Sequence, residues 1–234
     1  MRKFFTSLVI ATLGWVPLAS AQSSVVVVEL YTSQGCSSCP AADMILSEIA
    51  PRDDIIALGL HVDYWDYLGW RDALARPEFT KRQEVYNAVL KSRYRLVTPQ
   101  MIMQGRDYVA GPKRRKILEY IEMLRNMPEN AAMEITRDGA QVRISLAPLA
   151  DRNTDASVLH IVRYTPNVEV MIKGGENRGR TVQYTNIVTQ WDTVAEWDGQ
   201  AQMQLSQEVA ENEHVAVILQ AKGNGPILVA RRLD

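Results

Sequence analysis

The order of hydrophobic and polar positions in the first half of the chain predicts alternating strands and helices. An apolar run from Val25 to Val28 leads, through a short polar stretch, into a helical stripe with apolar side chains at i, i+3, i+4 and i+7: Ala42, Ile45, Leu46 and Ile49. Residues 55–60 are again continuously apolar, as expected of a strand covered on both faces of a parallel sheet. These three elements predict a right-handed βαβ unit.

The pattern then predicts two more helices and a strand that a proline introduces. Residues 78–95 and 113–127 each place apolar side chains on one side of a helix. Between them, Thr98 and Pro99 precede a short apolar run, and proline fits only the start or the edge of a strand because it lacks an N–H. Residues 61–72 carry four aromatic side chains and are interpreted as an insertion at the carboxyl end of the second strand, where open α/β sheets bind ligands.

From about residue 130 the pattern changes to alternation interrupted by turn residues. Asp138-Gly139 is a strong hairpin signal between two alternating segments. Further strands are expected at 157–164, 168–173, 181–190, 214–221 and 226–231. Short strands of this kind, without a helical period, predict an all-β, sandwich-like module.

The amino terminus predicts a secretory signal peptide. Arg2 and Lys3 precede a short apolar stretch that ends near Leu18, and Ala19-Ser20-Ala21 supplies the small residues of a cleavage site. A membrane anchor is the alternative, although the stretch is shorter than the roughly 20 residues that span a bilayer. We therefore expect a signal peptide over residues 1–21, a secreted or periplasmic location, and no membrane span in the mature chain.

Composition and charge limit the classes of partner that the sequence supports. The chain has 26 basic and 27 acidic residues and a formal net charge of −1, so nothing indicates nucleic acid or an anionic membrane as a partner. Residues 173–179 are glycine-rich but lack the spacing of a phosphate loop, and a hairpin or a docking loop is the better interpretation. His160 and His214 lie far apart in sequence, which disfavours a metal site. We expect no cofactor.

Candidate chemistry rests on the only two cysteines, Cys36 and Cys39. A bridge between them closes a very small loop and removes little entropy from the unfolded chain, so stability is a poor reason for it. Cys36 lies where the predicted helix begins, and a helix amino terminus favours a thiolate. Cys36 is therefore the candidate nucleophile, and Cys39 is the candidate that resolves a mixed disulfide.

A set of motifs resembles the secreted family called domain of unknown function 1223. They are Cys36-Ser37-Ser38-Cys39-Pro40, His61-Val62-Asp63-Tyr64-Trp65-Asp66, Arg82-Gln83, Thr98-Pro99-Gln100 and Gly175-Glu176-Asn177-Arg178-Gly179-Arg180. The resemblance covers nearly the whole mature chain. It implies an α/β thioredoxin-like domain over residues 22–128, with a central mixed sheet and flanking helices, followed by an all-β sandwich-like domain over residues 129–234.

The resemblance also implies roles around the disulfide. Thioredoxins carry a buried acid near the position of Glu29 that handles the proton of the second cysteine; the alternative is that Glu29 pairs with a basic residue. A cis bond at Thr98-Pro99 would present the Thr98 backbone edge to an extended substrate.

The predicted insertion supplies the remaining candidates. His61, Asp63, Tyr64 and Trp65 are expected to bind substrate, and His61 and Asp63 are also candidates for acid-base assistance because they follow the neighbouring strand. Simple packing over the sheet edge is the alternative for the aromatic side chains.

Three functions remain open. The first is a thiol-disulfide oxidoreductase acting on protein thiols or disulfides, with a redox partner protein. The second is a non-catalytic binding protein whose disulfide is structural. The third is a periplasmic copper chaperone that uses Cys36, Cys39 and His61.

Overall fold

A computed structural model of the protein describes residues 24–150 and 156–233. These ranges contain the helices α1 (Cys39–Ile49), α2 (Pro77–Val89) and α3 (Arg114–Arg125). They also contain the strands β1 (Val26–Thr32), β2 (Ile55–His61), β3 (Gln100–Met103), β4 (Asp107–Ala110), β5 (Ala131–Asp138), β6 (Gln141–Pro148), β7 (Ser157–Met171), β8 (Thr181–Trp197), β9 (Met203–Glu208), β10 (His214–Ala221) and β11 (Ile227–Leu233). The predicted signal peptide lies outside the described residues, and no helix within them has the length and apolar character needed to cross a membrane.

Eight strands form one mixed sheet in the order β11-β10-β7-β8-β2-β1-β3-β4. β1 runs parallel to β2 and antiparallel to β3, as part of the predicted βαβ arrangement. Strands β7, β8, β10 and β11 come from the segment predicted as a separate module, yet they extend the same sheet beyond β2. The prediction of a thioredoxin-like α/β domain followed by an all-β sandwich-like domain is therefore wrong.

The contact between β2 and β8 shows why the pattern missed this continuity. The two strands run parallel where Gly59 pairs with Ile187. A Cβ atom on Gly59 would lie 2.8 Å from Ile187 Cδ1 and 3.2 Å from the Thr185 carbonyl oxygen, so glycine permits the close approach. Asn186 Nδ2 also donates to the Ala57 carbonyl oxygen at 2.9 Å. Backbone pairing at a strand edge leaves no trace in the alternation of apolar side chains, which reports only the two faces.

A second sheet, β5-β6-β9, packs on one face of the large sheet. Its side chains Met133, Ile144 and Leu146 share a buried cluster with Leu159 and Val217 of the large sheet. The hairpin predicted between β5 and β6 is confirmed, and β10 pairs antiparallel with β11. β9 was not predicted. The boundary predicted at residue 128 falls between α3 and β5 and stays a prediction.

The two faces of β1 determine what reaches the cysteines. Because side chains alternate along a strand, Val28 and Leu30 contribute to the cluster beneath α1 and α3, whereas Val27 and Tyr31 contribute to the cluster beneath α2. Glu29 shares the face of Val27 and Tyr31. The strand is buried on both sides along its whole length.

Candidate functional site

The site is built around a disulfide between Cys36 and Cys39, whose Cα atoms lie 5.4 Å apart. Cys39 is the first residue of α1, and Pro40 occupies its first turn, where the missing N–H has no intrahelical acceptor to lose. Cys36 is 2% exposed and Cys39 is fully buried, while Ser37 and Ser38 between them are exposed. In this loop the two serine side chains are therefore exposed to solvent, and both cysteine sulfurs are buried.

The amino terminus of α1 is arranged to favour negative charge. Ser38 occupies the N-cap position without a side-chain hydrogen bond, and the first turn contains no acidic residue. The backbone N–H groups and the positive end of the helix dipole are thus not neutralised from within the helix. Cys36 precedes the first residue of α1 by 3 positions, and the Ser38 hydroxyl is 3.5 Å from its Sγ.

A loop from the distant part of the chain, residues 173–179, docks on the cysteine loop. Asn177 is 1% exposed, and its Nδ2 donates to the carbonyl oxygens of Gln34 (2.9 Å) and Cys36 (2.8 Å). A carboxylate oxygen of Glu176 accepts from the Ser37 backbone N–H at 3.2 Å. The interpretation of this segment as a docking loop is confirmed. Its hydrogen bonds hold the backbone of Cys36, the candidate nucleophile, in place.

Trp65 connects the cysteine loop to the proline loop. Its indole N–H donates to Thr98 Oγ1 at 2.8 Å, and a Cβ atom on Gly35 would lie 3.0 Å from Trp65 Cβ. The Thr98–Pro99 peptide bond is cis. Thr98 is therefore held beside the segment that leads into Cys36, as expected if the two loops form one site.

Asp63 and Tyr64 are turned towards α2. The Thr80 hydroxyl donates to Asp63 Oδ1 at 2.6 Å, and the Tyr64 hydroxyl donates to Gln83 Oε1 at 3.2 Å. Burial raises the pKa of Tyr64, although hydrogen bonds oppose the shift. Both polar groups are occupied within the protein, and their role in binding substrate stays a prediction.

His61 lies inside the protein rather than on a binding surface. It is fully buried, and its Nδ1 lies 2.7 Å from Asp72 Oδ2. The same Asp72 oxygen accepts the Gln34 backbone N–H at 2.8 Å, which joins this pair to the cysteine loop. The ring of Tyr184 meets the His61 ring edge-on, with centroids 4.6 Å apart. Of the two predicted roles of His61, this environment favours acid-base assistance over contact with substrate.

Sequence reasoning missed Asp43, a buried acid in the same helix as Cys39. It is 5% exposed, and burial raises its pKa from 3.8 to about 7, against the opposing influence of His61 and Thr32. The signal was available, because Asp43 follows Cys39 by four residues and precedes Leu46 by three, which is the spacing of one helix face. Asp72, Glu176 and Asn177 were also missed as site residues.

Glu29 belongs to a different cluster, on the α2 face of the sheet. Its carboxylate accepts two hydrogen bonds from Arg82, at 2.8 and 2.9 Å, and others from the hydroxyls of Tyr86 (2.6 Å) and Tyr31 (3.0 Å). Burial acts to lower the pKa of Arg82, but Glu29 and the two tyrosines raise it above the ordinary value. Arg82 also donates to Gln220 Oε1 of β10 at 3.0 Å. The structure thus shows the alternative, a Glu29 that pairs with a basic residue, and α1 lies on the opposite face.

The structure therefore brings together Cys36, Cys39, Thr98, Pro99 and Trp65 around one pair of loops, with His61 buried beneath them. It does not bring Glu29 to this place. No group of three or more histidine, cysteine, aspartate or glutamate side chains within residues 24–150 and 156–233 is arranged to hold a metal ion.

Two solved structures resemble this one over 92% of the chain. Protein AGR_C_4864 from Agrobacterium tumefaciens is 32% identical, with a TM-score of 0.78 over 92% of this chain and 96% of that one. HBP35 of Porphyromonas gingivalis is 12% identical, with a TM-score of 0.63 over 92% of this chain and 76% of that one, and this likeness concerns the fold alone.

Among curated proteins, no sequence matches the chain. A family model matches residues 27–220, a segment that includes both cysteines, the cis proline and the docking loop. The chain belongs to the family described as protein of unknown function DUF1223.

Proposed function

We propose that the protein is a thiol-disulfide oxidoreductase that acts through Cys36 and Cys39. The observation that carries this proposal is the disulfide at an amino terminus of α1 that has neither a side-chain cap nor an acidic residue in its first turn. Such a terminus stabilises a thiolate at Cys36 and so makes this sulfur both an attacking and a leaving group.

The exchange is balanced in thiols and disulfides. A substrate thiolate attacks Cys36 Sγ, the bond between the two cysteine sulfurs breaks, and its electron pair leaves on Cys39 Sγ. A second substrate thiol then displaces Cys36 from the mixed disulfide, so that the substrate is oxidised and the protein is reduced. The reverse sequence reduces a substrate disulfide, with Cys39 releasing the substrate from Cys36.

The burial of Cys36 limits which substrates can react. Its 2% exposure means that an incoming sulfur must displace part of the surrounding loops, which include Asn177 and Trp65. A protein segment that binds beside Thr98 would supply the binding energy for this displacement, whereas a small thiol would not. We therefore propose protein thiols or disulfides as substrates, with a redox partner protein that restores the starting state.

The proposed location follows from the amino-terminal pattern and the chemistry. A secreted or periplasmic compartment is oxidising and permits a persistent disulfide. Residues 1–21 carry the sequence features of a secretory signal.

Trapping tests the proposal. A Cys39→Ser variant keeps Cys36 but cannot resolve a mixed disulfide, so it should accumulate covalent adducts with substrate proteins that reducing agents release. The matched controls are Cys36→Ser, which retains the buried thiol alone, and the double variant; both should give no adduct. Absence of adducts with Cys39→Ser, under conditions in which a known oxidoreductase is trapped, would overturn the proposal.

One observation favours a second candidate, a binding protein with a structural disulfide. Both sulfurs are buried, and Asn177 holds the Cys36 backbone in place, as expected of a bridge that stabilises a loop. This alternative predicts a disulfide that resists reduction.

A further inference from the structure

Three buried polar atoms lie between α1 and the large sheet without a hydrogen-bond partner in the described part of the chain. They are Asp43 Oδ2, His61 Nε2 and Thr32 Oγ1. A buried polar atom without a partner destabilises the fold, so three such atoms together call for a functional explanation.

The register of the sheet places His61 on the α1 face. In the parallel pairing of β1 with β2, Thr32 lies opposite His61. Every second pair shares one face of the sheet, so this pair lies on the same face as Val26–Ile55 and Val28–Ala57. Those four apolar residues belong to the cluster beneath α1 and α3. His61 therefore projects towards the helix that carries Cys39 and Asp43.

Asp43 lies one helical turn after Cys39 on α1. Residues four apart on a helix have Cβ atoms about 6 Å apart on the same face, a distance that their side chains or a single water molecule can bridge. Both residues are buried, so a proton that leaves one of them moves to a nearby group more readily than to bulk solvent.

The hydrogen bonds of Asp72 determine the tautomer of His61. Asp72 Oδ2 accepts the Gln34 backbone N–H at 2.8 Å and Asp72 Oδ1 accepts that of Leu74 at 2.9 Å, so both oxygens act as acceptors. His61 Nδ1 then donates the hydrogen that it shares with Asp72, and in a neutral imidazole Nε2 is an acceptor. This acceptor suits a protonated Asp43.

A cleft connects Asp43 to solvent. It has a volume of about 580 Å³ and is lined by α1 and by residues 180–183; its α1 residues are Pro40, Asp43, Met44 and Ser47. Met44 is 68% exposed at this opening. A proton held by Asp43 can thus be exchanged with solvent through this cleft.

From this geometry we infer that Asp43 donates a proton to Cys39 when the disulfide opens and accepts it back when the disulfide closes, with His61 and Asp72 as positioning residues. This inference rests on the proposed exchange function. As an external thiolate bonds to Cys36 Sγ, the disulfide electron pair passes to Cys39 Sγ, which takes the proton of Asp43 and leaves a carboxylate. In reverse, that carboxylate takes the Cys39 proton while Cys39 Sγ displaces the substrate thiolate from Cys36.

Several titratable groups face Asp43 and tune this transfer. They are Cys39 on its own helix, His61 and Asp72 beneath it, Tyr184 of β8, and Arg180 at the cleft. Burial raises the pKa of Asp43 to about 7, so near neutral pH it can both give and take a proton.

The test is the pH dependence of disulfide reduction by dithiothreitol, followed by quenching, alkylation and mass measurement. After correction for the thiolate concentration of the reagent, the wild-type rate should change slope near pH 7. Asp43→Asn should lose this inflection and react about 100-fold more slowly at pH 6. Asp43→Glu should retain an inflection. Glu48→Gln, a matched change at an exposed acid of α1, should behave as wild type.

A second measurement needs no variant. Carbon-13 NMR of the Asp43 carboxyl in the oxidised wild-type protein should show titration near pH 7, and reduction of the disulfide should shift it. A carboxyl that titrates near pH 4, or an inflection that persists in Asp43→Asn, would overturn the inference while leaving exchange intact. Failure of the trapping experiment with Cys39→Ser would instead remove the proposed function itself.

Discussion

Replacing Asp43 by asparagine should change how the stability of the oxidised protein depends on pH. Burial raises the pKa of Asp43 from 3.8 to about 7 in the folded protein. Between these values the folded chain holds a proton that the unfolded chain has released. The free energy of unfolding of the wild type therefore includes a contribution that is present below about pH 4 and is lost as the pH rises towards 7.

The magnitude follows from the two pKa values. At about 1.36 kcal/mol per pH unit, the shift from 3.8 to about 7 corresponds to about 4 kcal/mol, an upper value because water entry relieves part of the burial. Asp43→Asn cannot ionise and escapes this loss. Relative to wild type, the variant should gain up to about 4 kcal/mol between pH 4 and pH 8.

Urea denaturation at a series of pH values measures this difference directly, since contributions from other titrating groups cancel between the two proteins. Glu48→Gln is the control, because Glu48 is exposed, and its difference from wild type should stay constant above pH 5. If the curves of Asp43→Asn and wild type run parallel from pH 4 to pH 8, Asp43 has an ordinary pKa, and the reasoning about its burial is wrong.

Three further substitutions test other parts of the account. Arg82→Met leaves Glu29 buried without its partner and should lower the free energy of unfolding by about 3–5 kcal/mol in urea, while disulfide exchange persists in the folded protein. Asn177→Ala removes both hydrogen bonds to the cysteine loop and should speed the reaction of Cys36 with a small thiol, with a loss of about 1–3 kcal/mol in stability; an unchanged rate would show that the loop does not restrict access. Gly59→Ala forces a methyl group against β8 and should cost about 1–3 kcal/mol, measured by thermal unfolding; a neutral result would contradict the close contact of β2 with β8.

The individual helices and strands were predictable because each one spaces its apolar side chains with a characteristic period. The stripe of Ala42, Ile45, Leu46 and Ile49 gave α1, and the continuous run 55–60 gave β2, buried on both faces. The position of Cys36 just before a helix followed from the same pattern. These features depend on side chains that are neighbours in sequence, which periodicity reports.

The global arrangement was not predictable in this way. The joining of β2 to β8 depends on backbone atoms far apart in sequence, and the glycine at position 59 permits their close approach. The resemblance located an acid on β1 but not its face, and Glu29 packs beneath α2 with Arg82. Asp43 could have been found from its spacing to Cys39, but its position facing the buried His61 required the register of the sheet.

The reduction potential of the Cys36–Cys39 disulfide tests the central claim most directly. It is measured at pH 7 by equilibrating the protein with thiol-disulfide buffers of known potential and counting alkylated thiols by mass. An exchange protein should have a potential in the range of known oxidoreductases, about −270 to −120 mV. A potential below about −300 mV would mark the disulfide as a structural bridge and contradict the proposed function.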